Sequence, residues 1–243
     1  MKAVRWSDPH TMQKDIFTLN QLKMKTKKIT YSKILDIRNL TESTYILRLE
    51  KSDFIFKAGQ YLVLNVPGDN KAREYSIYSP EEAPYIDLLI KEVDKGEISK
   101  ELKYLKIGTK VEITGPFGFF VLRENEQNKQ SHFTFVATGT GVAPFHSIIL
   151  SNPGLSYEVI HGVRHGYEAY DSSDYPDDHY KLCTSREHGE NYFGRVTQYL
   201  KEKGIRKESI YYICGNSGMV NDVSGLLEKS GIHPENIRTE VFF

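Results

Sequence analysis

The stretch Arg73-Glu74-Tyr75-Ser76-Ile77-Tyr78-Ser79 determines how the rest of the chain is interpreted. In a β-strand, Arg73 and Tyr75 would share one face and Ser76 would point to the other. A flavin requires an aromatic side chain against its ring, a hydroxyl near its N5 atom and a cation for its phosphates. Tyr75, Ser76 and Arg73 supply these groups within four residues. The stretch therefore predicts one wall of a flavin site.

Two further motifs are interpreted together with this stretch. One runs from Ala137 to Pro144 as Ala-Thr-Gly-Thr-Gly-Val-Ala-Pro, and the other runs from Cys214 to Met219 as Cys-Gly-Asn-Ser-Gly-Met. The three motifs, in this order and at this spacing, resemble those of the ferredoxin–NADP⁺ reductase family over roughly residues 29–243. The resemblance implies hydride transfer between NADP(H) and FAD, and single-electron exchange between FAD and a small carrier protein, ferredoxin or flavodoxin.

Length and composition limit the alternatives. The chain has 243 residues, enough for one large domain or two ordinary ones. Its 32 basic and 32 acidic residues give no net charge that would favour nucleic-acid binding, and no apolar run reaches the ~18 residues of a membrane span. Cys183 and Cys214 are too few for a disulfide framework or an iron–sulfur cluster. We therefore expect a cytoplasmic, metal-free monomer whose partner carries any cluster.

The first part of the chain divides into a tail and a barrel. Residues 1–28 are polar and basic, which favours a flexible tail, with a basic arm for an acidic partner as the alternative. Residues 29–124 contain short β-rich segments between turns, the pattern of an antiparallel Greek-key barrel, which the resemblance makes the FAD-binding domain. The expected strands include Thr44–Leu49, Tyr61–Val66, Arg73–Ser79, Tyr85–Val93 and Lys110–Thr114, with a helix over Ser99–Leu105.

Beyond the polar segment 123–130, strands alternate with helices. This rhythm over residues 132–243 predicts an α/β domain with a parallel sheet, which the resemblance identifies as NADP-binding. The expected strands are Phe133–Val136, Tyr157–Ile160, Tyr180–Cys183, Ile210–Ile213 and Ile237–Phe243, with helices from Pro144, over Arg195–Lys203 and over Met219–Lys229. Ligands bind at the carboxyl ends of such strands, where we find Gly139, Arg164, Ser185, Gly215 and Glu240.

Several residues near those strand ends suit a nicotinamide nucleotide. The glycines of Gly139-Thr140-Gly141 let the backbone approach a pyrophosphate, although an ordinary tight turn would use the same residues. By resemblance, Ser185, Arg186 and Arg195 match positions that bind the 2′-phosphate of NADP, and Arg164 is a further candidate. The planar guanidinium of arginine suits phosphate; the alternative is that these arginines form surface ion pairs.

The resemblance also assigns residues to the flavin. Gly96 and Ser99 match a Gly-x-x-Ser motif that binds the flavin diphosphate, with Ser99 at a helix N-terminus; the alternative is a simple N-cap. Gly115–Gly118 matches a structural turn. At the chain end, Phe242 takes the place of a tyrosine that covers the flavin in the family, and Phe243 is additional. The alternative is a last strand whose phenylalanines pack inward.

Three residues are assigned to the chemistry. By resemblance, Ser76 lies near flavin N5, Cys214 lies against the nicotinamide, and Glu240 lies close to it. Cys214 ends an apolar strand, so we do not expect it to act as a covalent nucleophile. Gly215 and Met219 complete the nucleotide motif, with Met219 better suited to helix packing.

Two other functions remain open from the sequence. One is an NADH-dependent reductase component of an oxygenase system on the same fold. The other is a flavin-binding electron-relay or regulatory subunit that does not turn over nucleotide. The intact Gly-Thr-Gly and Cys-Gly motifs argue against the second.

Overall fold

The first of two sheets forms a closed antiparallel barrel. The computed structural model describes residues 29–66, 72–93, 97–123, 131–188 and 192–242. The barrel strands are β1 (Ile29–Asn39), β2 (Thr44–Glu50), β3 (Tyr61–Asn65), β4 (Ala72–Ser76), β5 (Tyr85–Lys91) and β6 (Lys110–Phe117), with helix α1 (Glu97–Lys103) before β6. Their order is β4-β3-β6-β1-β2-β5. A bridge between Ile77 and Leu88 joins the two ends of this order.

Alternating side chains fill the inside of the barrel. Along β3 the buried residues are Leu62 and Leu64, while their neighbours are partly exposed. The neighbouring strand β6 supplies Val111 and Ile113, which are also fully buried. One buried face and one wetter face is what antiparallel strands with alternating polarity produce. The predicted antiparallel barrel is confirmed.

The second sheet is parallel and lies between helices. Its strands are β7 (His132–Thr138), β8 (Ser156–Val163), β9 (Tyr180–Thr184), β10 (Tyr192–Phe193), β11 (Ser209–Asn216) and β12 (Ile237–Phe242), in the order β10-β9-β8-β7-β11-β12. The helices are α2 (Ala143–Ser151), α3 (Val196–Lys203) and α4 (Ser217–Lys229), with 3₁₀ turns at Gly139–Val142, Gly166–Glu168, Ser172–Asp174 and Pro234–Asn236. The predicted α/β domain is confirmed.

The central parallel strands are buried on both faces. Phe135 and Val136 of β7, and Tyr212 and Ile213 of β11, are all 0% exposed. Their side chains alternate between a core facing the barrel and a core under α3 and α4. Burial on both faces explains why these strands appear in the sequence as near-continuous apolar runs.

Several element boundaries differ from the sequence prediction. The helix expected from Ser99 begins at Glu97, and β6 continues to Phe117 through most of the expected Gly115–Gly118 turn. The helix expected from Met219 begins at Ser217, because the Asn216 side chain accepts the Met219 N–H at 3.0 Å and caps the first turn. Strand β10, with only two residues, was not predicted. Pairing with neighbours extends or trims elements beyond their local preference.

The barrel and the parallel sheet share a hydrophobic core. Tyr78 and Leu89 from the barrel pack in one cluster with Phe145 and Tyr212 from the α/β part. Polar contacts cross the same boundary: the Ser147 hydroxyl donates to the Ser79 carbonyl at 2.7 Å. The expected tail 1–28 and most of the expected linker 123–130 lie outside the described residues. Within the described ranges, none of the helices has the length and hydrophobicity needed to span a bilayer.

Candidate functional site

The three residues assigned to the chemistry meet where the barrel faces the parallel sheet. Ser76 ends β4 and is only 7% exposed, and its hydroxyl donates to Glu240 Oε1 at 3.4 Å. Glu240 on β12 pairs in register with Cys214 on β11. Ser76 and Glu240 are 164 residues apart in the sequence, so only the fold brings them together.

Burial controls the protonation of this cluster. It raises the pKa of Glu240 to about 7, an effect that the nearby Glu74 carboxylate reinforces and the Ser76 hydrogen bond opposes. Burial also raises the pKa of the Cys214 thiol well above its usual range. Cys214 is 0% exposed, so its thiol stays protonated rather than forming a thiolate. Glu240 is the group that can hold or release a proton near neutral pH.

Strand β4 orients the residues predicted to contact the flavin. Arg73 and Tyr75 lie opposite Leu64 and Leu62 of β3, on one face, while Ser76 is on the other, as the sequence predicts. The Arg73 side chain is exposed, and Tyr75 is half-buried with its ring partly packed on the barrel core. Their contacts with FAD remain predictions.

The second flavin element differs from expectation in its position. Ser99 lies inside the first turn of α1 rather than at the helix N-terminus. Its hydroxyl accepts the Val93 N–H at 3.2 Å, and its carbonyl accepts the Tyr45 hydroxyl at 2.6 Å. Ser99 therefore joins α1 to Val93, two residues after β5, and to Tyr45 of β2. Gly96 lies outside the described residues, and a role of either residue in binding the diphosphate stays a prediction.

The two glycine motifs pack against each other at the carboxyl edge of the parallel sheet. A Cβ at Gly141 would lie 2.4 Å from the Cys214 carbonyl oxygen, and one at Gly215 would lie 2.2 Å from Thr138 Oγ1. Neither position has room for a side chain, so both strand ends approach closely. Met219 is buried under the sheet, as its expected packing role requires. The 3₁₀ turn at Gly139–Val142 then leads directly into α2.

A set of exposed cationic residues lies along the same edge. The Ser185 N–H donates to the Val163 carbonyl and the Arg186 N–H donates to the Arg164 carbonyl, both at 3.0 Å. Arg195 follows β10 next to β9. These contacts bring Arg164, Ser185, Arg186 and Arg195 to one region, all of them exposed. No acidic side chain in the described part of the chain pairs with Arg164 or Arg186, and a role of these residues in binding a 2′-phosphate stays a prediction.

The end of the chain is a strand. Phe242 lies opposite Asn216 in the pairing of β11 with β12, and it packs partly on the core shared with the barrel. This position agrees with the alternative of an inward-packing strand, and a flavin contact of Phe242 stays a prediction. Phe243 lies outside the described residues.

The sequence did not reveal two buried or partly buried polar features, one histidine and one cluster of three residues. His161 is fully buried beside the Gly139 turn, and a histidine in the apolar run of β8 was the available signal. His146, Asp171 and Asp174 place three possible metal ligands within 4.8 Å of one another. However, the Arg38 guanidinium donates to both oxygens of Asp171, at 2.9 and 2.7 Å. This fork neutralises the carboxylate, so the group ties the barrel to the α/β part instead of favouring a cation.

Comparisons with known proteins give consistent results. A family model described as an oxidoreductase FAD-binding domain matches residues 32–122. The toluate 1,2-dioxygenase electron transfer component of Pseudomonas putida is 31% identical over 90% of this chain and 69% of that protein. Ferredoxin–NADP reductase B of Sorangium cellulosum is 36% identical over 49% of this chain and 50% of that protein. The phenol hydroxylase P5 protein of Acinetobacter pittii is 27% identical, and this chain spans 64% of its length.

Solved structures show the same fold. The ferredoxin NADP⁺ reductase of Neisseria gonorrhoeae, with bound FAD and NADP, superposes with a TM-score of 0.79 at 24% identity. The alignment covers 90% of this chain and 100% of that protein. The fold and the FAD-binding match agree with the cofactors that the sequence predicts.

Proposed function

This chain belongs to the ferredoxin–NADP⁺ reductase family of FAD-dependent oxidoreductases, and from that membership we propose its reaction. The reaction is transfer of a hydride between NADP(H) and FAD, and of single electrons between FAD and a small carrier protein, ferredoxin or flavodoxin. The observation that carries the proposal is the convergence of Ser76, Cys214 and Glu240. The residue proposed for the flavin side and the two proposed for the nucleotide side lie together there, between the two sheets.

The residues present fit both ligands. Bound FAD supplies the chemistry that accepts a hydride and passes electrons on singly. Arg73, Tyr75 and Ser76 would hold FAD on the barrel side, and the turn at Gly139, where an added Cβ would meet no atom within 4 Å, leaves backbone open for a pyrophosphate on the other side. The protonated Cys214 thiol forms an apolar wall for a nicotinamide ring. Glu240 holds a proton near neutral pH and hydrogen-bonds Ser76, so it orients that hydroxyl.

The exposed cationic residues favour NADP(H) over NAD(H). A 2′-phosphate requires cations and hydroxyls, and Ser185, Arg186 and Arg195 supply both beside the carboxyl ends of β9 and β10. A second candidate function has its own support. Several similar proteins are named as electron transfer or reductase components of dioxygenase systems, so an NADH-dependent oxygenase reductase is the rival proposal.

The proposed carrier follows from the cysteine content. Cys183 and Cys214 are both buried, and an iron–sulfur cluster takes about four thiolates. We infer that a cluster or flavin that accepts the single electrons is held outside these 243 residues.

Steady-state assays of the FAD-loaded protein test the proposal. NADPH should support reduction of an artificial dye, and of added ferredoxin or flavodoxin, with a higher kcat/KM than NADH. Mass spectrometry of the released cofactor should find FAD. A preference for NADH would favour the oxygenase-reductase rival, and recovery of FMN alone would contradict the flavin assignment. Flavin binding without turnover of either nucleotide would point to a relay or regulatory subunit.

A further inference from the structure

A buried histidine connects the nucleotide turn to the interior of the α/β domain. His161 on β8 lies opposite Ala137 of β7 and is 0% exposed. Its Nε2 lies 2.8 Å from the Gly139 carbonyl oxygen, and its Nδ1 lies 2.6 Å from the Tyr180 hydroxyl. Gly139 begins the 3₁₀ turn at the carboxyl end of β7. One ring therefore joins the start of β9 to the glycine-rich turn.

The partners determine the tautomer of His161. A carbonyl oxygen can only accept, so Nε2 carries the hydrogen and donates it to Gly139. In the neutral ring Nδ1 must then accept, so the Tyr180 hydroxyl is the donor. Burial lowers the pKa of His161 to about 4, which keeps the ring neutral under ordinary conditions. Tyr180 is itself held by stacking on Tyr175, with ring centres 5.1 Å apart.

Holding the Gly139 carbonyl also fixes the direction of the next N–H. A trans peptide unit is planar, and its C=O and N–H point in opposite directions. Because the Gly139 carbonyl is directed inward to His161, the Thr140 N–H of the same unit is directed away from it. The first N–H groups of a helical turn have no acceptor within the turn. Gly139 has φ +54°, a left-handed conformation that glycine adopts without a steric penalty, so the hydrogen bond from His161 can hold this peptide in one orientation.

We propose that His161, oriented by Tyr180, is a positioning residue that sets the Gly139–Thr140 peptide so that its N–H faces the pyrophosphate of the bound nucleotide. This inference rests on the proposed nucleotide function. It adds two residues to the binding machinery that never touch the ligand themselves. Their effect is confined to the pyrophosphate end, because Ser185 and Arg186 are held by separate contacts to β8 and the residues that follow it.

Two probes separate the two ends of the nucleotide site. NADP⁺ contains the pyrophosphate, whereas adenosine 2′-monophosphate carries the 2′-phosphate without it. Binding of each to the FAD-loaded protein is measured by calorimetry. Tyr180→Phe removes the donor to His161, and we expect NADP⁺ affinity to fall about 3- to 10-fold while adenosine 2′-monophosphate affinity changes less than about 2-fold.

The chain offers a matched control beside Tyr180. The Tyr175 hydroxyl is buried without a hydrogen-bond partner among the described residues. Tyr175→Phe therefore removes the same atom from the same aromatic stack and should leave both affinities unchanged. At position 161 itself, His161→Leu should weaken NADP⁺ binding about 10- to 100-fold. His161→Gln should restore most of it, because its amide N–H reaches the place of Nε2.

The outcomes discriminate clearly. Selective loss of NADP⁺ affinity in Tyr180→Phe, with Tyr175→Phe normal, supports the inference. Equal loss for both probes, or no loss for either, overturns it and leaves the proposed function intact. A wild-type protein that binds neither probe contradicts the NADP(H) assignment as well. If His161→Leu does not fold, the comparison of Tyr180→Phe with Tyr175→Phe still decides the question.

Discussion

The two ends of the proposed nucleotide site treat charge in opposite ways. At the chemical end, Ser76 and Cys214 are buried and Glu240 is partly buried, and burial raises the pKa of the Cys214 thiol and of the Glu240 carboxyl. At the recognition end, Arg164, Ser185 and Arg186 are exposed. Burial is used where a proton must be held at a defined atom, and exposure is used where a permanent charge is the recognition element. Both ends lie along the carboxyl edge of the parallel sheet, which runs from beneath the barrel out to solvent.

The largest effect should come from replacing the partly buried acid Glu240. Glu240→Gln keeps the shape but removes the group that gains and loses a proton beside Ser76. We expect NADPH-dependent kcat to fall about 100- to 1,000-fold, the range of a positioned proton-holding group. Stopped-flow reduction of the bound flavin measures the step directly. The control is Glu228→Gln on α4, an exposed acid that should change the rate little. Equal losses in both variants would show that burial of Glu240 is not the cause.

A smaller effect should come from the exposed end. Arg186→Ala should lower kcat/KM for NADPH about 10- to 100-fold, since charge-assisted hydrogen bonds to phosphate are lost, and leave NADH kinetics nearly unchanged. Arg206→Ala is the matched control, because Arg206 is an exposed arginine before β11 at the opposite edge of the sheet. If NADH kinetics fell equally, Arg186 would act on the fold and not on the 2′-phosphate.

The raised pKa of Glu240 should also make the free energy of unfolding depend on pH. The pKa of Glu240 is raised from 4.5 to about 7 on folding, so the folded protein binds more protons between these values. Stability should therefore fall as pH rises through this window. Glu240→Gln has no carboxyl whose ionisation destabilises the folded state above pH 7. The variant should therefore be more stable than wild type at pH 8, by about 1–3 kcal/mol, and the difference should vanish near pH 4. Denaturant titrations of both FAD-loaded proteins measure it; a difference independent of pH would contradict the raised pKa.

The smallest effect is expected from Phe242 and Phe243 at the end of the chain. Deleting Phe242 and Phe243 should shift the visible absorption of the flavin and strengthen NADP⁺ binding a few-fold, because an aromatic competitor for the ring face is removed. Phe242 packs partly on the shared core, so deleting Phe243 alone is the control that preserves the strand. Unchanged spectra and affinities in a folded, FAD-containing double deletion would make both residues the end of a strand and nothing more.

The sequence predicted those parts of the fold that depend on residues close together in the chain. The apolar runs of β7 and β11 and the turn glycines identify a parallel sheet and its ligand edge. It could not predict the Ser76–Glu240 contact, because no pattern reports a meeting across 164 residues. Helix α1 began earlier than expected because local preference does not fix helix ends. His161 was missed because a histidine in a buried strand acquires meaning only when its partners are known.

The core shared by the barrel and the parallel sheet has a consequence for how the molecule unfolds. Tyr78 and Leu89 are interior residues only while Phe145 and Tyr212 cover them. Neither half can open without exposing the apolar surface of the other, so the two should lose structure in one cooperative step. Amide hydrogens of β5 and β7 would then exchange at matching rates. A barrel fragment expressed alone would expose the apolar surface of the shared core and be prone to aggregation. The barrel and the α/β part are in this sense a single folding unit.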